Sequence, residues 1–282
     1  MNLRFDILQP HAGRLPHLRS FWRVEQLSLV GVICLLPPLW VSLADQGADQ
    51  GTGLAIFLAA SLGVVLFWQA LVGFAQGRLP GWDALATAIC FALLADGGLP
   101  LWQSMLALSF GVVLAEQIFG GRGFSFLNPV VVGLAFLEFA FPGTGFAVAP
   151  ATFGWAVLPG ALVLIWLGLI SARMLLGLAL VLIGFIQISG LNLAGPDLLA
   201  GHFLFAIAFL AGDAGSAAAT RFGRWAHGAL IAGLIVLFSP SGGIDLGFAA
   251  LVPALLLAGI FAPLLDMIAI KIYVLKRRSR HG

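Results

Sequence analysis

The chain has 282 residues, of which 61% are apolar and only 9% charged, with a formal net charge of +2 and a mean hydropathy of +1.06. Soluble domains carry about 25% charged residues, so this composition excludes a water-soluble globular fold and indicates an all-α polytopic membrane protein. A membrane-crossing helix needs about 20 apolar residues, and the length accommodates about ten of them joined by short loops.

Residues 1–23 carry Arg4, Arg14, Arg19 and Arg23, and no apolar run precedes Val24. Such a segment reads as a basic cytoplasmic arm against the inner leaflet, not as a cleavable signal peptide or a nucleic-acid arm. Apolar spans follow at about 26–44, 53–75, 82–95, 101–119, 129–141, 153–171, 174–190, 199–212, 225–239 and 247–273. The third, fifth and eighth are short and bounded by Gly, Pro or Asp. That is the pattern of discontinuous helices, which membranes tolerate only where protein or a cavity surrounds the break. Cys34 and Cys90 lie within spans, in no metal or redox spacing, and read as packing residues.

Charge placement predicts the topology. With the N-terminus inside and ten crossings, Arg78, Arg122, Arg173, Arg221, Arg224 and the tail Lys276-Arg277-Arg278-Ser279-Arg280 all face the cytoplasm. Asp45, Asp49, Asp96, Asp197 and Asp245 face outward, in keeping with the positive-inside rule. Ten spans divide into five and five, and an odd number per half makes the halves inverted. The expected organisation is an arm (1–23), one transmembrane domain (24–273, with repeats at about 24–141 and 153–273) and a basic tail (274–282). Both termini are cytoplasmic. Short spans three and eight both run into acidic, glycine-bearing breaks, Asp96-Gly97-Gly98 and Gly212-Asp213-Ala214-Gly215.

The stretch with the most specific sequence is Glu116 to Phe141, EQIFGGRGFSFLNPVVVGLAFLEFAF. A glycine turn at Gly120-Gly121-Arg122-Gly123 leads through Phe124–Asn128 to Pro129, which opens a short span. Two further blocks stand out: Leu210–Trp225, LAGDAGSAAATRFGRW, and Phe261–Asp266, FAPLLD.

Together these blocks resemble the RnfD/NqrB family, comprising the D subunit of the Rnf ferredoxin-linked complex and the B subunit of the sodium-pumping NADH:quinone oxidoreductase. The matching residues are Phe119, Gly120, Gly121, Gly123, Asn128, Pro129, Phe139, Phe141 and Pro142 in the first block. In the second they are Asp213, Ser216, Ala217, Thr220, Gly223 and Arg224, and the third resembles an A-P-L-I-D segment. The resemblance implies inverted five-helix repeats similar to those of urea and ammonium channels. It also implies a place in a membrane electron-transfer complex of the bacterial inner membrane, alongside other membrane and redox subunits. In that family FMN is joined through its phosphate to a threonine in a D-x-x-S/T-G-A-T motif. The corresponding loop here, Gly143–Thr152, keeps only Ala151-Thr152, with Phe146 in place of the acid and Pro150 in place of the glycine; Ala214 likewise replaces a proline after Asp213. The expected cofactor is FMN or riboflavin, held non-covalently or joined at Thr152, which is otherwise suited to cap the next helix.

Candidate cofactor-binding residues are Gly120, Gly121, Arg122, Gly123, Asn128, Thr152, Asp213, Ser216 and Thr220. Backbone N–H groups of a glycine turn can hold phosphate, although a tight turn alone also demands glycine. Glu116 and Asp266 are ion-coupling candidates, because an ionisable residue at membrane depth is costly. Glu116 reads equally as a hydrated carboxylate at a helix end or a partner for Arg122. Asp266 reads as lying well inside span ten, with Lys271 as a potential partner. Asp213 is open to capping a broken helix, binding a cation or bonding a flavin, and Glu138 needs a partner or a water-filled cavity. His202 and His227 open spans at opposite faces and cannot share one haem.

The function expected from these features is an electron-transfer subunit that positions flavin and couples electron flow to ion movement, not a stand-alone enzyme. Two alternatives stay open. One is a flavin-free scaffold in a larger complex, and the other is a transporter or channel using the inverted-repeat fold.

Overall fold

The computed structural model describes residues 24–45, 47–77, 81–95, 99–121, 124–143, 145, 147, 150, 152–189, 201–213, 215–239 and 247–281. The N-terminal arm, Arg78, Arg122, Gly123 and the loop aspartates Asp96, Asp197 and Asp245 lie outside the described residues. Among the described residues regular structure is helical throughout.

Helices α1 (Val24–Asp45), α2 (Gly47–Gln76) and α3 (Asp83–Leu94) are followed by α4 (Leu101–Val112), which relaxes into a π-helical turn at Val113–Gln117. Helices α5 (Pro129–Ala140), α6 (Phe153–Trp166) and α7 (Ala172–Ser189) come next. The short α8 (Gly201–Phe205) also continues as π-helix, Ala206–Ala211, before α9 (Arg221–Phe238) and α10 (Phe248–His281). Every stretch read as a span carries helix. Three helices, within Gln26–Asp45, Gly51–Ala75 and Phe248–Arg277, are long and apolar enough to cross a membrane among the described residues. The shorter apolar helices include Asp83–Leu94, Pro129–Ala140 and Gly201–Ala211, the three read as discontinuous.

Local chemistry accounts for several boundaries. Asn128 caps α5: its side chain accepts the Val130 N–H at 2.9 Å, and Pro129 occupies the first helical turn, where its missing N–H is no loss. Gly120 and Gly121 take φ values of +97° and +96°, which end the π turn of α4. Span six stops earlier than hydropathy predicts. Leu167-Gly168-Leu169-Ile170 is apolar but turns, with Gly168 at φ +74° and the Leu169 and Ile170 N–H groups both bonded to the Leu164 carbonyl.

The first five helices pack mainly among themselves, α4 on α5, α2 on α3 and α4, and α1 on α3. The last five do likewise, α9 on α10, α7 on α9 and α6 on α8. The two groups meet where α1 crosses α6 and where α5 meets α10. Small residues allow the close crossings expected between apolar helices. A Cβ at Gly111 would strike the Pro129 carbonyl of α5, one at Gly160 the Cys34 carbonyl of α1, and one at Gly228 the Met174 carbonyl of α7.

Candidate functional site

Three of the cofactor candidates, distant in sequence, come together where the broken elements meet. Asn128 stands at the start of α5. Its amide nitrogen lies 3.5 Å from Asp213 Oδ2, just past the π-helical end of α8. The Asp213 carbonyl accepts N–H bonds from Ser216 and Ala217 at 3.1 and 3.0 Å, folding the chain into a tight turn that buries Ser216. A cavity of about 340 Å³ opens beside this pair. Helix α1 contributes Ser28 and Gly31 to it, α3 contributes Thr87 and Cys90, and Ser125 and Phe209 complete much of the rest around Asn128 and Asp213. The other walls are aliphatic, from Leu27, Leu35, Val130, Leu164, Leu169 and Ile170. No Lys or Arg lines it among the described residues. This is the composition of a small-molecule site, an apolar box with a few convergent polar groups. On its far side Asn128 also faces a void of about 10 Å³ with Ser216 and the buried His227, the size of a single water.

The other candidates lie elsewhere. The Gly121 N–H bonds the Glu116 carbonyl at 2.9 Å and the Gly120 N–H bonds the Gln117 carbonyl at 3.1 Å. These amides therefore terminate a helix instead of pointing at a phosphate. Arg122 and Gly123 lie outside the described residues. Thr152 precedes α6 in αR geometry, is exposed, and makes no capping bond with its side chain, so the capping role read from the sequence is not taken up. It does not line the cavity.

Thr220 is the N-cap of α9, its hydroxyl accepting the Gly223 N–H at 3.0 Å. The same hydroxyl donates to Asp266 Oδ1 at 2.6 Å, and the carboxylate accepts the N–H groups of Ala219 (2.7 Å) and Thr220 (3.0 Å). Asp266, midway along α10, is thus level with the first residues of α9 and engaged in holding them, while Lys271, the partner read from the sequence, is exposed. His227, nearly two turns into α9, accepts the Ala218 N–H on Nδ1 at 3.4 Å, and Arg224 Nε donates to the Ala218 carbonyl at 3.3 Å. The segment 218–220 is held on both sides. Asp266→Ala leaves two N–H groups and a hydroxyl without their acceptor. We expect it to cost about 1–2 kcal/mol, read as a lower unfolding midpoint with ligand content unchanged. An unaltered midpoint accompanied by altered ion-dependent turnover would return Asp266 to the ion-coupling candidates.

Glu116 is 2% exposed, which overturns the hydrated helix-end reading. The π turn of α4 directs it toward α2, where Gln69 Nε2 donates to Glu116 Oε1 at 3.1 Å and to Asp83 Oδ2 at 2.9 Å. Gln117 Nε2 also donates to Glu116 Oε1 at 3.2 Å. Sequence reading missed Gln69 and Asp83. The signal was there in Gln69, a lone amide within an otherwise apolar span. Glu138, half-buried on α5, has its Oε2 buried with no hydrogen-bond partner among the described residues. His202 packs on Phe153 with ring centroids 5.6 Å apart, well separated in the chain from the α9 turn that holds His227.

Comparison with known proteins bears on this arrangement as a whole. The family described as NQR2, RnfD, RnfE matches residues 12–148 and 144–274. The B subunit of the Na(+)-translocating NADH-quinone reductase of Klebsiella pneumoniae subsp. pneumoniae is 30% identical over 328 aligned positions, covering 92% of this chain and 76% of its own length. Its counterpart of the same name from Haemophilus influenzae strain PittEE is 28% identical, covering 84% of this chain and 72% of its own. Because the matches run through both helix groups and include the turns that build the cavity, the chain belongs to the NQR2, RnfD, RnfE family.

Proposed function

We propose that this chain is an integral membrane subunit of an electron-transfer complex in the bacterial inner membrane, and that it positions a flavin in the cavity beside Asn128 and Asp213. Relatives named as the B subunit of a Na(+)-translocating NADH-quinone reductase motivate the assembly. The cavity itself carries the cofactor assignment. Its volume of about 340 Å³ suits a fused aromatic ring system. Aliphatic walls pack the ring faces, while the Asn128 amide and Asp213 carboxylate bond the polar edge. Ser28, Thr87 and Ser125 offer hydroxyls to a polyol chain. With a carboxylate and no described cation in the lining, a phosphate inside the cavity is disfavoured, which supports riboflavin, or an FMN whose phosphate lies outside. The flavin supplies one- and two-electron chemistry; the protein fixes its position and surroundings.

The membrane domain is proposed to be two inverted five-helix repeats, 24–141 and 153–273, with both termini cytoplasmic. Matching neighbours support it: α1 packs on α3 as α6 does on α8, and α4 on α5 as α9 does on α10. The basic arm (1–23) and tail (274–282) face the inner leaflet in this arrangement. Glu116 is the proposed ion-coupling carboxylate. Asp266, whose oxygens already hold the start of α9, is a structural residue in this reading.

The exposed Thr152 and its reduced motif favour a second reading, a flavin-free scaffold. Purification in mild detergent with co-purifying subunits separates the two. We expect flavin that is released on denaturation and retained in Thr152→Ala. Flavin that stays on the denatured polypeptide and vanishes in Thr152→Ala would make the attachment covalent. A flavin-free preparation that keeps its partners would leave the scaffold.

A further inference from the structure

Behind the flavin cavity proposed above, on the other side of Asn128, lies the void of about 10 Å³. Among the described residues only three side chains with polar atoms line it, those of Asn128, Ser216 and His227, and all three are buried. The rest of its lining is apolar, from α5, the π turn of α8, α9 and α10. The backbone fixes how His227 stands there. Its Nδ1 accepts the Ala218 N–H at 3.4 Å, from the segment that Asp266 holds at Ala219 and Thr220. A ring nitrogen that accepts carries no proton, so the imidazole proton sits on Nε2. His227 is 2% exposed, and Nε2 has no hydrogen-bond partner among the described residues. A buried donor without an acceptor is costly, and native structures satisfy such groups with protein or water.

We propose that the void is the site of one bound water, and that His227 acts through it as a positioning residue for the Asn128–Asp213 edge of the cavity. This rests on the reading of that cavity as the flavin site. The water accepts the His227 Nε2–H and the second N–H of the Asn128 amide, and donates to Ser216 Oγ. Ser216 is suited to this role. Its own hydroxyl bonds are long, 3.4 Å to the Leu210 carbonyl and 3.5 Å to the Asp213 carbonyl, and its oxygen keeps lone pairs for a donor. Three polar partners are the usual complement of a buried water.

The effect falls on the Asn128 amide. Its oxygen caps α5 by accepting the Val130 N–H at 2.9 Å, and its nitrogen faces Asp213 Oδ2 at 3.5 Å. A contact of that length is at the weak end of hydrogen bonding and holds the amide plane poorly by itself. Anchoring the second N–H on the water sets the plane, and with it the direction in which the Asn128–Asp213 edge meets a ring in the cavity. His227 does not line that cavity, so its influence runs through Asn128. A chain of contacts then leads from Asp266 on α10, through the segment 218–220 and His227, to the flavin edge.

The test uses the full chain purified with its partners, freed of flavin and titrated with riboflavin, with the thermal midpoint measured alongside. His227→Leu and His227→Asn offer no donor at the Nε2 position. Each should raise the half-saturating riboflavin concentration by at least about threefold. His227→Gln places an amide N–H near the position of Nε2 and should bind within about twofold of the wild type. In an Asn128→Ala background His227→Leu should add little, because its route to the cavity is gone. If the leucine variant costs as much in that background as in the wild type, or if the glutamine variant binds as weakly as the leucine variant, His227 is a packing residue and the inference is wrong. If all three His227 variants bind like the wild type while Asp213→Leu does not, the water has no part in binding and the cavity reading stands without it. If the wild type takes up no riboflavin, the cavity reading falls and this inference with it.

Discussion

Asp213→Leu should empty the proposed flavin cavity. The carboxylate stands at the cavity wall within 3.5 Å of the Asn128 amide, where the ends of two broken elements face each other. Replacing it with leucine removes the acceptor for the polar edge of a bound ring and fills part of the space with methyl groups. A hydrogen bond to a charged group is worth about 1.5–3 kcal/mol, so flavin retained through purification should fall by at least about tenfold. Asp213→Asn keeps the shape and one carbonyl acceptor and should lose less. The unfolding midpoint is the control, since the turn at Asp213 is built from its backbone carbonyl, which both variants preserve. Wild-type flavin content in the leucine variant would show that this cavity is not the cofactor site, whatever its volume.

Gly228→Ala should be the most destabilising single methyl in the α7–α9 pair. A Cβ at Gly228 would collide with the Met174 carbonyl oxygen and lie 2.8 Å from the Leu178 nitrogen, both backbone atoms that cannot step aside by changing rotamer. Gly177 faces the same crossing from the other helix, its Cβ position 2.6 Å from the Trp225 carbonyl. Separating two helices at their contact costs about 1–3 kcal/mol or more. Gly184 and Gly233 lie on the same two helices with nothing within 4 Å of an added Cβ. Alanine there should be neutral or stabilise by about 0.5–1 kcal/mol through helix propensity. Thermal midpoints of the four alanine variants measure the contrast directly. Equal midpoints for Gly228→Ala and Gly233→Ala would mean that α7 and α9 do not cross this closely.

Much of the architecture was legible in the residues alone. Hydropathy located the helices because burial in a membrane is set by the composition of each local stretch. Asn128-Pro129 announced the start of α5, because a capping bond reaches only two residues along the chain. The short fifth and eighth spans marked the elements at whose ends Asn128 and Asp213 meet. The apolar run Leu167–Ile170 misled, because a positive-φ glycine ends a helix without changing hydropathy.

What the tertiary structure alone decided is which polar groups face one another. Gln69 and Glu116 are 47 positions apart, and so are Ala219 and Asp266. No local pattern links either pair, because the bond depends on which helix faces cross and at what height. That crossing assigned Asp266 to the start of α9 and Glu116 to a shared amide, although both looked alike in the sequence as acids within apolar spans. Local chemistry determined where helices begin and end. The partners of each buried charge followed from packing between segments far apart in the chain, where close glycine crossings fix the height at which side chains meet.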